Sequence, residues 1–273
     1  MLVYPNAKIN LGLNIVEKRA SGYHNIETVF YPIGLCDALE IIPSDSCSDY
    51  SFSSSGIHID GSVDDNLIVK AYHLLRNEYE LPPVDITLIK QIPFGAGLGG
   101  GSSDAAFTLK ALNELFGLKI APKKLEAYAV ALGADCPFFI KNKAVFATGI
   151  GNEFSKVSIS LKGLFMVLVK PDIFVSTPEA YSKVVPAKPA YSILDVLKLP
   201  IEEWNGKLVN DFEVSVFEQY PAIANIKQQL YDAGAVYASM SGSGSSVYAL
   251  FKSEPAELPA FDNCFVTGGF LNK

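Results

Sequence analysis

The segment Pro93–Ser103 is unusually rich in glycine. It holds five glycines within seven residues: Gly95, Gly97, Gly99, Gly100 and Gly101. Glycine costs conformational entropy on folding, so this density is not expected in an ordinary core segment. The segment lies between a predicted strand and a predicted helix that begins near Ser102, where backbone N–H groups and the positive end of the helix dipole can bind an anion. It therefore predicts a phosphate-binding loop.

Three kinds of nucleotide loop compete for this segment. Gly95, Gly97 and Gly100 satisfy the dinucleotide pattern GxGxxG literally, which keeps an NAD-dependent oxidoreductase as an alternative. That pattern expects an acidic residue at the end of a second strand about 20 residues on, whereas Ala121–Pro122 stands there, at a predicted helix start. No Gly-Lys-Ser/Thr follows the glycines, so a Walker loop does not fit either. The third kind holds a triphosphate by backbone and hydroxyl groups and takes its lysine from elsewhere in the chain.

A lysine of that kind lies near the start of the chain. Apolar and polar residues alternate strictly from Ala7 to Ile15, which predicts a half-buried strand. Lys8 and Asn10 then lie side by side on its polar face. For an arbitrary lysine, a solvated strand face is the simpler interpretation.

Strands and helices alternate along the rest of the chain, which indicates a mixed α and β protein. A helix is predicted to start after a cap at Asp64 or Asp65, another covers Pro122–Leu132, and a third carries Ile223, Ile226 and Leu230. The Ser- and Asp-rich stretch Ser44–Ser55 predicts a surface loop or hairpin.

Five segments, in order, resemble motifs of the GHMP kinases, the superfamily of galactokinase, homoserine kinase, mevalonate kinase and phosphomevalonate kinase. They are Ala7–Leu13, Gly22–Thr28, Pro93–Ala106, Gly133–Phe139 and Ser239–Ser246. The resemblance runs from Ala7 to about Phe251. The Gly-Tyr-His and Gly-Ala-Asp-x-Pro segments are similar to the branch that acts on a cytidylyl sugar alcohol. A mevalonate- or homoserine-type kinase and a non-catalytic nucleotide-binding relative remain as alternatives.

The resemblance implies a fold and a reaction. The fold is an α+β, two-domain GHMP kinase fold with the active site in the cleft between an N-terminal domain, 1–155, and a C-terminal domain, 156–273. The reaction transfers the γ-phosphoryl group of ATP, with Mg²⁺, to the tertiary 2-hydroxyl of a methylerythritol moiety in the non-mevalonate route to isoprenoid precursors. Such a transfer depends on positioning and on charge stabilisation.

The resemblance also implies roles for individual residues. Asp135 is the expected base, with a helix-capping Asp as the alternative, and Lys8 is expected beside it, where an ammonium favours the ionised carboxylate. Tyr23 and His24 are expected at the cytidine, and Asn10 and Thr177 at the acceptor, over which the loop Ser241–Ser246 would close. The ATP-binding residues are expected to be Asn66, Lys90, Pro93, Gly95, Ala96, Gly97, Leu98, Gly99, Gly100, Gly101, Ser102 and Ser103. No acidic residue stands where several relatives have a Mg²⁺ ligand, so the predicted set of metal ligands is empty.

Composition excludes several other classes. The 273 residues are 49% apolar and carry a formal charge of −7, which is typical of a globular protein and opposite to the basic surface of a nucleic-acid binder. Zinc is not expected, because the four cysteines are scattered and lie away from the histidines: Cys36, Cys47, Cys136 and Cys264. The sequence shows neither a signal peptide nor an apolar run of membrane-spanning length. We therefore expect a cytoplasmic monomer or homodimer whose partners are small molecules.

Overall fold

The structure is a computed structural model, and it describes residues 1–45 and 49–272. Its strands are β1 (Leu2–Val3), β2 (Asn6–Lys18), β3 (His24–Cys36), β4 (Ala38–Pro43), β5 (Tyr50–Gly56), β6 (Val84–Lys90), β7 (Val145–Thr148), β8 (Glu153–Lys156), β9 (Phe165–Pro171), β10 (Tyr237–Met240), β11 (Val247–Phe251) and β12 (Cys264–Phe270). Its α-helices are α1 (Leu67–Tyr79), α2 (Gly100–Leu115), α3 (Pro122–Leu132), α4 (Cys136–Lys141), α5 (Thr177–Tyr181), α6 (Ile193–Val196), α7 (Phe212–Gln219) and α8 (Pro221–Asp232).

The chain forms two compact units, each assembled from several segments. Unit 1 comprises Met1–Ala7, Leu35–Phe94 and Gly99–Lys143. Unit 2 comprises Lys8–Gly34, Gly95–Leu98 and Ala144–Lys273. The division into continuous domains 1–155 and 156–273 stays a prediction.

Unit 1 is a four-stranded sheet with helices. The strand order is β1-β4-β6-β5, with β5 parallel to β6 and the other pairs antiparallel. Alternate residues of β6, such as Ile86 and Leu88, are buried, while Thr87 between them is exposed. This alternation is typical of a sheet with one covered face. Helix α2, which follows the glycine-rich segment, packs against α1 and α4.

Unit 2 contains two four-stranded sheets, with strand orders β2-β3-β7-β8 and β10-β11-β9-β12. The second is antiparallel throughout. Its core draws on both ends of the chain, because Leu13 and Ile15 of β2 are buried in one cluster with Val167 and Val169 of β9 and with Ile223 of α8. Burying such side chains contributes about 1.5–3 kcal/mol each.

Several predicted elements are present at their expected places, α3 with the predicted bounds. Three expectations are wrong. β5 occupies part of the stretch Ser44–Ser55 that was predicted as a loop or hairpin, and it pairs in parallel with β6; residues 46–48 lie outside the described residues. The cap of α1 is Asn66, whose Oδ1 accepts from the Ile68 N–H at 2.9 Å, and not Asp64 or Asp65, which form a short 3₁₀ turn before it. Finally, β2 is buried on both faces from Asn6 to Ile15, and not half-buried.

None of the helices in residues 1–45 and 49–272 combines the length and the apolar character that crossing a membrane would require.

Candidate active site

The Lys8 ammonium is held inside unit 2 by two oxygen acceptors. Lys8 is buried, and its Nζ donates to Asn10 Oδ1 at 2.8 Å and to the Gly97 carbonyl at 3.0 Å. It also lies 5.0 Å from the centre of the Phe30 ring, where the face of the ring favours a cation. A buried lysine needs such partners, because an unpaired charge is costly away from water. The polar face of β2 is therefore an interior surface, and the solvated interpretation of Lys8 is wrong.

The Asn10 carboxamide is oriented by its neighbours. Its Nδ2 donates to Thr28 Oγ1 at 2.9 Å, and the Thr28 hydroxyl donates to the Gly12 carbonyl at 2.5 Å. Because the amide nitrogen is used in this way, the oxygen faces Lys8. The Tyr248 hydroxyl donates to the Asn10 carbonyl at 2.7 Å, which fixes the backbone as well. The network holds Lys8 in one position.

The first part of the glycine loop, Gly95–Leu98, also lies in unit 2. The Gly97 carbonyl accepts from Lys8 Nζ and from Ser241 Oγ, the latter at 2.8 Å, and the Lys8 N–H donates to the Leu98 carbonyl at 2.9 Å. Gly97 has a φ of 72°, and a Cβ there would lie 1.9 Å from the Ser241 carbonyl oxygen. Glycine is required at this position both by its conformation and by the close approach of the Ser241 backbone.

The second part of the loop starts helix α2 in unit 1. Gly99 adopts the left-handed conformation just before α2, and no side chain among the described residues makes a cap hydrogen bond there. The first N–H groups of a helix have no partner within the helix, so this end carries unused donors and a positive dipole. Ser103 Oγ is buried and has no hydrogen-bond partner in the part of the chain that the structure describes. These groups fit a phosphate.

A cavity of about 440 Å³ in unit 1 brings together three of the predicted ATP-binding residues. Asn66, Lys90 and Gly101 line it, together with the apolar side chains of Leu67 and Phe94. This volume is within the usual range for small-molecule sites. A nucleoside would meet amide, apolar and backbone groups there.

The Lys90 ammonium is engaged by two carboxylates in the same unit. It donates to Asp37 Oδ2 at 2.5 Å and to Asp104 Oδ2 at 2.6 Å, and all three side chains are buried. Burial raises the pKa of Asp104 to about 7; Lys90 opposes this shift and Asp37 adds to it. Sequence reasoning assigned Lys90 to the nucleotide, included Asp104 only as part of the glycine-loop motif, and predicted neither of these ion pairs.

Asp135 lies immediately before α4 in unit 1. Gly133 ends α3, and Cys136-Pro137 begins α4, as the sequence predicts. Within the described residues Asp135 makes no side-chain cap hydrogen bond to α4, so the alternative of a helix-capping Asp is not supported. Its predicted convergence with Lys8 stays a prediction.

The residues predicted to bind the cytidine and the acceptor lie in unit 2. His24 begins β3 and stacks on Tyr181, with ring centres 4.5 Å apart and 18° between the planes. Burial first, and then Lys18, lowers the pKa of His24, which favours a neutral imidazole that can both donate and accept a hydrogen bond. Tyr23 is 64% exposed, and Thr177 begins α5.

Tyr181 is a residue that sequence reasoning missed. It lies four residues after Thr177 on the same helix, and residues at that spacing share a helix face. This spacing, starting from a predicted acceptor-site residue, is the signal that could have found it.

The described residues contain no preformed metal centre. Among residues 1–45 and 49–272 there is no group of three His, Cys, Asp or Glu side chains that could hold a metal ion. The glycine loop ends in two hydroxyl-bearing residues, Ser102 and Ser103, which would share a cation with the phosphates of a nucleotide. This donor set fits Mg²⁺, which binds in nucleotide sites through one or two protein oxygens, phosphates and water.

Family models, protein sequences and solved structures of known proteins all resemble this chain. Residues 66–143 match the family model for the N-terminal domain of the GHMP kinases, and residues 200–261 match the model for their C-terminal domain. The chain is 55% identical, over 100% of both sequences, to the 4-diphosphocytidyl-2-C-methyl-D-erythritol kinase of Parabacteroides distasonis. This chain belongs to the 4-diphosphocytidyl-2-C-methyl-D-erythritol kinases, a branch of the GHMP kinase family.

Further comparisons agree with this family. The chain is 61% identical to the 4-diphosphocytidyl-2-C-methyl-D-erythritol kinase of Bacteroides fragilis, over 93% of each sequence. A crystal structure of a 4-(cytidine 5'-diphospho)-2C-methyl-D-erythritol kinase superposes with a TM-score of 0.78 at 32% identity, covering 92% of this chain and 90% of that one. Homoserine kinase from Cytophaga hutchinsonii shares only the fold, with a TM-score of 0.64 at 18% identity over 98% and 95% of the chains.

These findings decide between the alternatives from the sequence. The GHMP kinase fold and the assignment to the kinases that phosphorylate an alcohol are confirmed. Membership of a kinase family implies the use of ATP. The interpretation of the literal GxGxxG pattern as the mark of an NAD-dependent oxidoreductase is therefore wrong, and the role of this segment as a phosphate loop stays a prediction.

Proposed function

We propose that this chain transfers the γ-phosphoryl group of ATP to the 2-hydroxyl of 4-diphosphocytidyl-2-C-methyl-D-erythritol, with Mg²⁺ as the cofactor. The observation that carries the proposal is the hydrogen bond from the Lys8 ammonium to the Gly97 carbonyl, because it joins the predicted catalytic lysine to the backbone of the phosphate loop. The cytoplasmic location and the monomer or homodimer expected from the sequence belong to the same proposal.

In this reaction the loop Pro93–Ser103 binds the phosphates through backbone N–H groups and the hydroxyls of Ser102 and Ser103. The uncapped start of α2 supplies the donors, and Asn66 and Lys90 line the nucleoside cavity. Mg²⁺, when bound, supplies positive charge to the phosphate oxygens. The remaining predicted phosphate-loop residues are Pro93, Gly95, Ala96, Gly97, Leu98, Gly99, Gly100 and Gly101.

The acceptor hydroxyl loses its proton and gains the phosphoryl group. The Asp135 carboxylate takes the proton of the acceptor hydroxyl, whose oxygen forms the new bond to the γ-phosphorus while the bond to the β–γ bridging oxygen breaks and ADP leaves. Lys8 stabilises the charge on the transferred group, and Asn10 and Thr177 hold the acceptor. Tyr23 and His24 bind the cytidine.

The direct test is a coupled assay of ADP release. We expect turnover with 4-diphosphocytidyl-2-C-methyl-D-erythritol and none above background with mevalonate or homoserine. Identification of the 2-phosphate in the product separates phosphoryl transfer from simple ATP hydrolysis. Turnover with mevalonate or homoserine in place of the cytidylyl substrate would overturn the proposal.

Replacing His24 by Ala is expected to raise KM for the cytidylyl substrate about fivefold, because the loss of one hydrogen bond to a bound base costs about 1 kcal/mol. Its kcat and its KM for ATP should change little. Steady-state kinetics with each substrate varied in turn provides the measurement, and His58→Ala, on an exposed loop, is the matched control. An unchanged KM for the cytidylyl substrate would remove His24 from the site.

A further inference from the structure

Asp37 is a buried carboxylate that the proposed mechanism does not use. It lies between the end of β3 and the start of β4 and is 1% exposed. Its Oδ1 accepts from the Gln91 N–H at 2.6 Å and from the Ile92 N–H at 2.8 Å. Its Oδ2 accepts from Lys90 Nζ at 2.5 Å. Both oxygens are thus bound to the stretch that leads into Pro93.

The same ammonium also binds the chain after the phosphate loop. Lys90 Nζ donates to Asp104 Oδ2 at 2.6 Å, and Asp104 directly follows Ser103 near the start of α2. The loop Pro93–Ser103 is therefore bracketed by one buried cluster, Asp37–Lys90–Asp104, which fixes the residues before it and the residue after it. The start of α2 packs closely against the residues before the loop, since a Cβ on Gly100 would lie 2.8 Å from Ile92 Cγ2 and 3.1 Å from Lys90 Nζ.

The two carboxylates are not equivalent. Asp104 Oδ1 is buried without a hydrogen-bond partner in the described part of the chain, whereas Asp37 uses both oxygens. Asp37 accepts from three donors, the Lys90 ammonium and two backbone N–H groups, whereas Asp104 meets the Lys90 ammonium through one oxygen. Asp37 is therefore the carboxylate that ties Lys90 to the backbone before the loop. Buried ion pairs of this kind contribute geometry more readily than stability.

We propose that Asp37 is a positioning residue for ATP: it holds Lys90 and the Gln91–Ile92 backbone so that both ends of the phosphate loop keep the separation that nucleotide binding needs. The inference rests on the proposed function, since it assumes that this loop binds ATP. Asp37 acts through the loop and through Lys90 and takes no part in the phosphoryl transfer.

The test compares two substitutions of carboxylate by amide within the cluster. In Asp37→Asn an NH₂ group must face either the Lys90 ammonium or the Gln91 and Ile92 N–H groups, so one donor always meets another. In Asp104→Asn the amide oxygen can still accept from Lys90. We expect Asp37→Asn to raise KM for ATP about 10- to 100-fold, since a small misplacement of binding groups has effects of that size. Asp104→Asn should raise KM for ATP much less.

Further readouts separate positioning from a general loss of structure. KM for the cytidylyl substrate should stay near the wild-type value, and hydrogen exchange should become faster at the Gln91 and Ile92 amides. Glu40→Gln, an exposed carboxylate-to-amide change on β4, is the matched control and should behave as wild type. If Asp37→Asn does not fold, Asp37→Ser carries the test, because it leaves the Lys90–Asp104 pair intact and should likewise raise KM for ATP.

Two outcomes would overturn the inference: a wild-type KM for ATP in the folded Asp37 variant, or equal increases of KM for both substrates. If the wild type binds ATP in calorimetry but does not phosphorylate the cytidylyl substrate, the proposed acceptor is wrong. The role of Asp37 is then decided by ATP affinity in the same variants: weaker binding in the Asp37 variant supports it, and unchanged binding overturns it.

Discussion

Replacing Asp135 by Asn is expected to lower kcat by about 10²–10⁴-fold, the usual contribution of a general base. The amide has the shape of the carboxylate but cannot take the proton of the acceptor hydroxyl. ATP affinity should be largely retained, because the phosphate loop is unchanged. The measurements are kcat from the ADP-release assay and ATP affinity from calorimetry.

This substitution also separates the two interpretations of Asp135. Asn caps helices about as well as Asp, so a residue that only caps α4 would tolerate the change with near-normal turnover. Asp195→Asn is the matched control, because Asp195 pairs with Lys198 on an exposed surface and is expected to leave kcat unchanged. Near-normal turnover of the Asp135 variant would contradict its assignment as the base.

Replacing Lys8 by Met is expected to lower kcat by at least about 10³-fold, comparable to the loss of other cationic groups that stabilise a transferred phosphoryl group. Met has nearly the length of Lys but no charge. The substitution also removes the ammonium from Asn10 Oδ1, at about 1–3 kcal/mol of stability, whereas the Gly97 carbonyl keeps its hydrogen bond from Ser241 Oγ. Kinetics should therefore be measured well below the melting temperature of the variant.

Lys8→Arg should not rescue activity, because a planar guanidinium cannot reproduce the contacts of a compact ammonium with Asn10 Oδ1 and the Gly97 carbonyl. Lys156→Met, an exposed change at the end of β8, is the matched control. A Lys8→Met enzyme that retains most of its turnover while binding ATP normally would show that the ammonium does not act on the transferred group.

Local signals in the sequence predicted much of the fold. Helix α3 has a Pro at its start and a Gly at its end, so its bounds could be predicted from neighbours in the chain. β5 was missed because a serine-rich strand carries little of the usual strand signal and depends on pairing with β6. The burial of both faces of β2 was missed because the segments that cover its polar face are distant in the chain. Ser241, which contacts Asn10 and the Gly97 carbonyl, is 231 residues from Asn10 in the chain.

In the candidate site, too, some residues could be predicted from the sequence and others could not. Glycine density predicted a phosphate loop, and resemblance to a family supplied the proposed roles of Lys8 and Asp135. The side chains that hold Lys90 and His24 in place were not predicted, because they are brought to these two residues only by folding. Asp37 lies 53 residues from Lys90, and Tyr181 stacks on a histidine of a distant strand. Asp37 has no sequence pattern of its own, and the only sequence signal for Tyr181 is its spacing from Thr177.

The core of unit 2 has a consequence for truncated forms of the protein. Leu13 and Ile15 share one buried cluster with Val167, Val169 and Ile223, so β2 completes a hydrophobic interior whose other buried members all lie between Phe165 and Phe251. A recombinant piece lacking residues 8–34 would expose that interior to solvent. β2 therefore reaches its final packing only when β9 and α8, which come much later in the chain, are present.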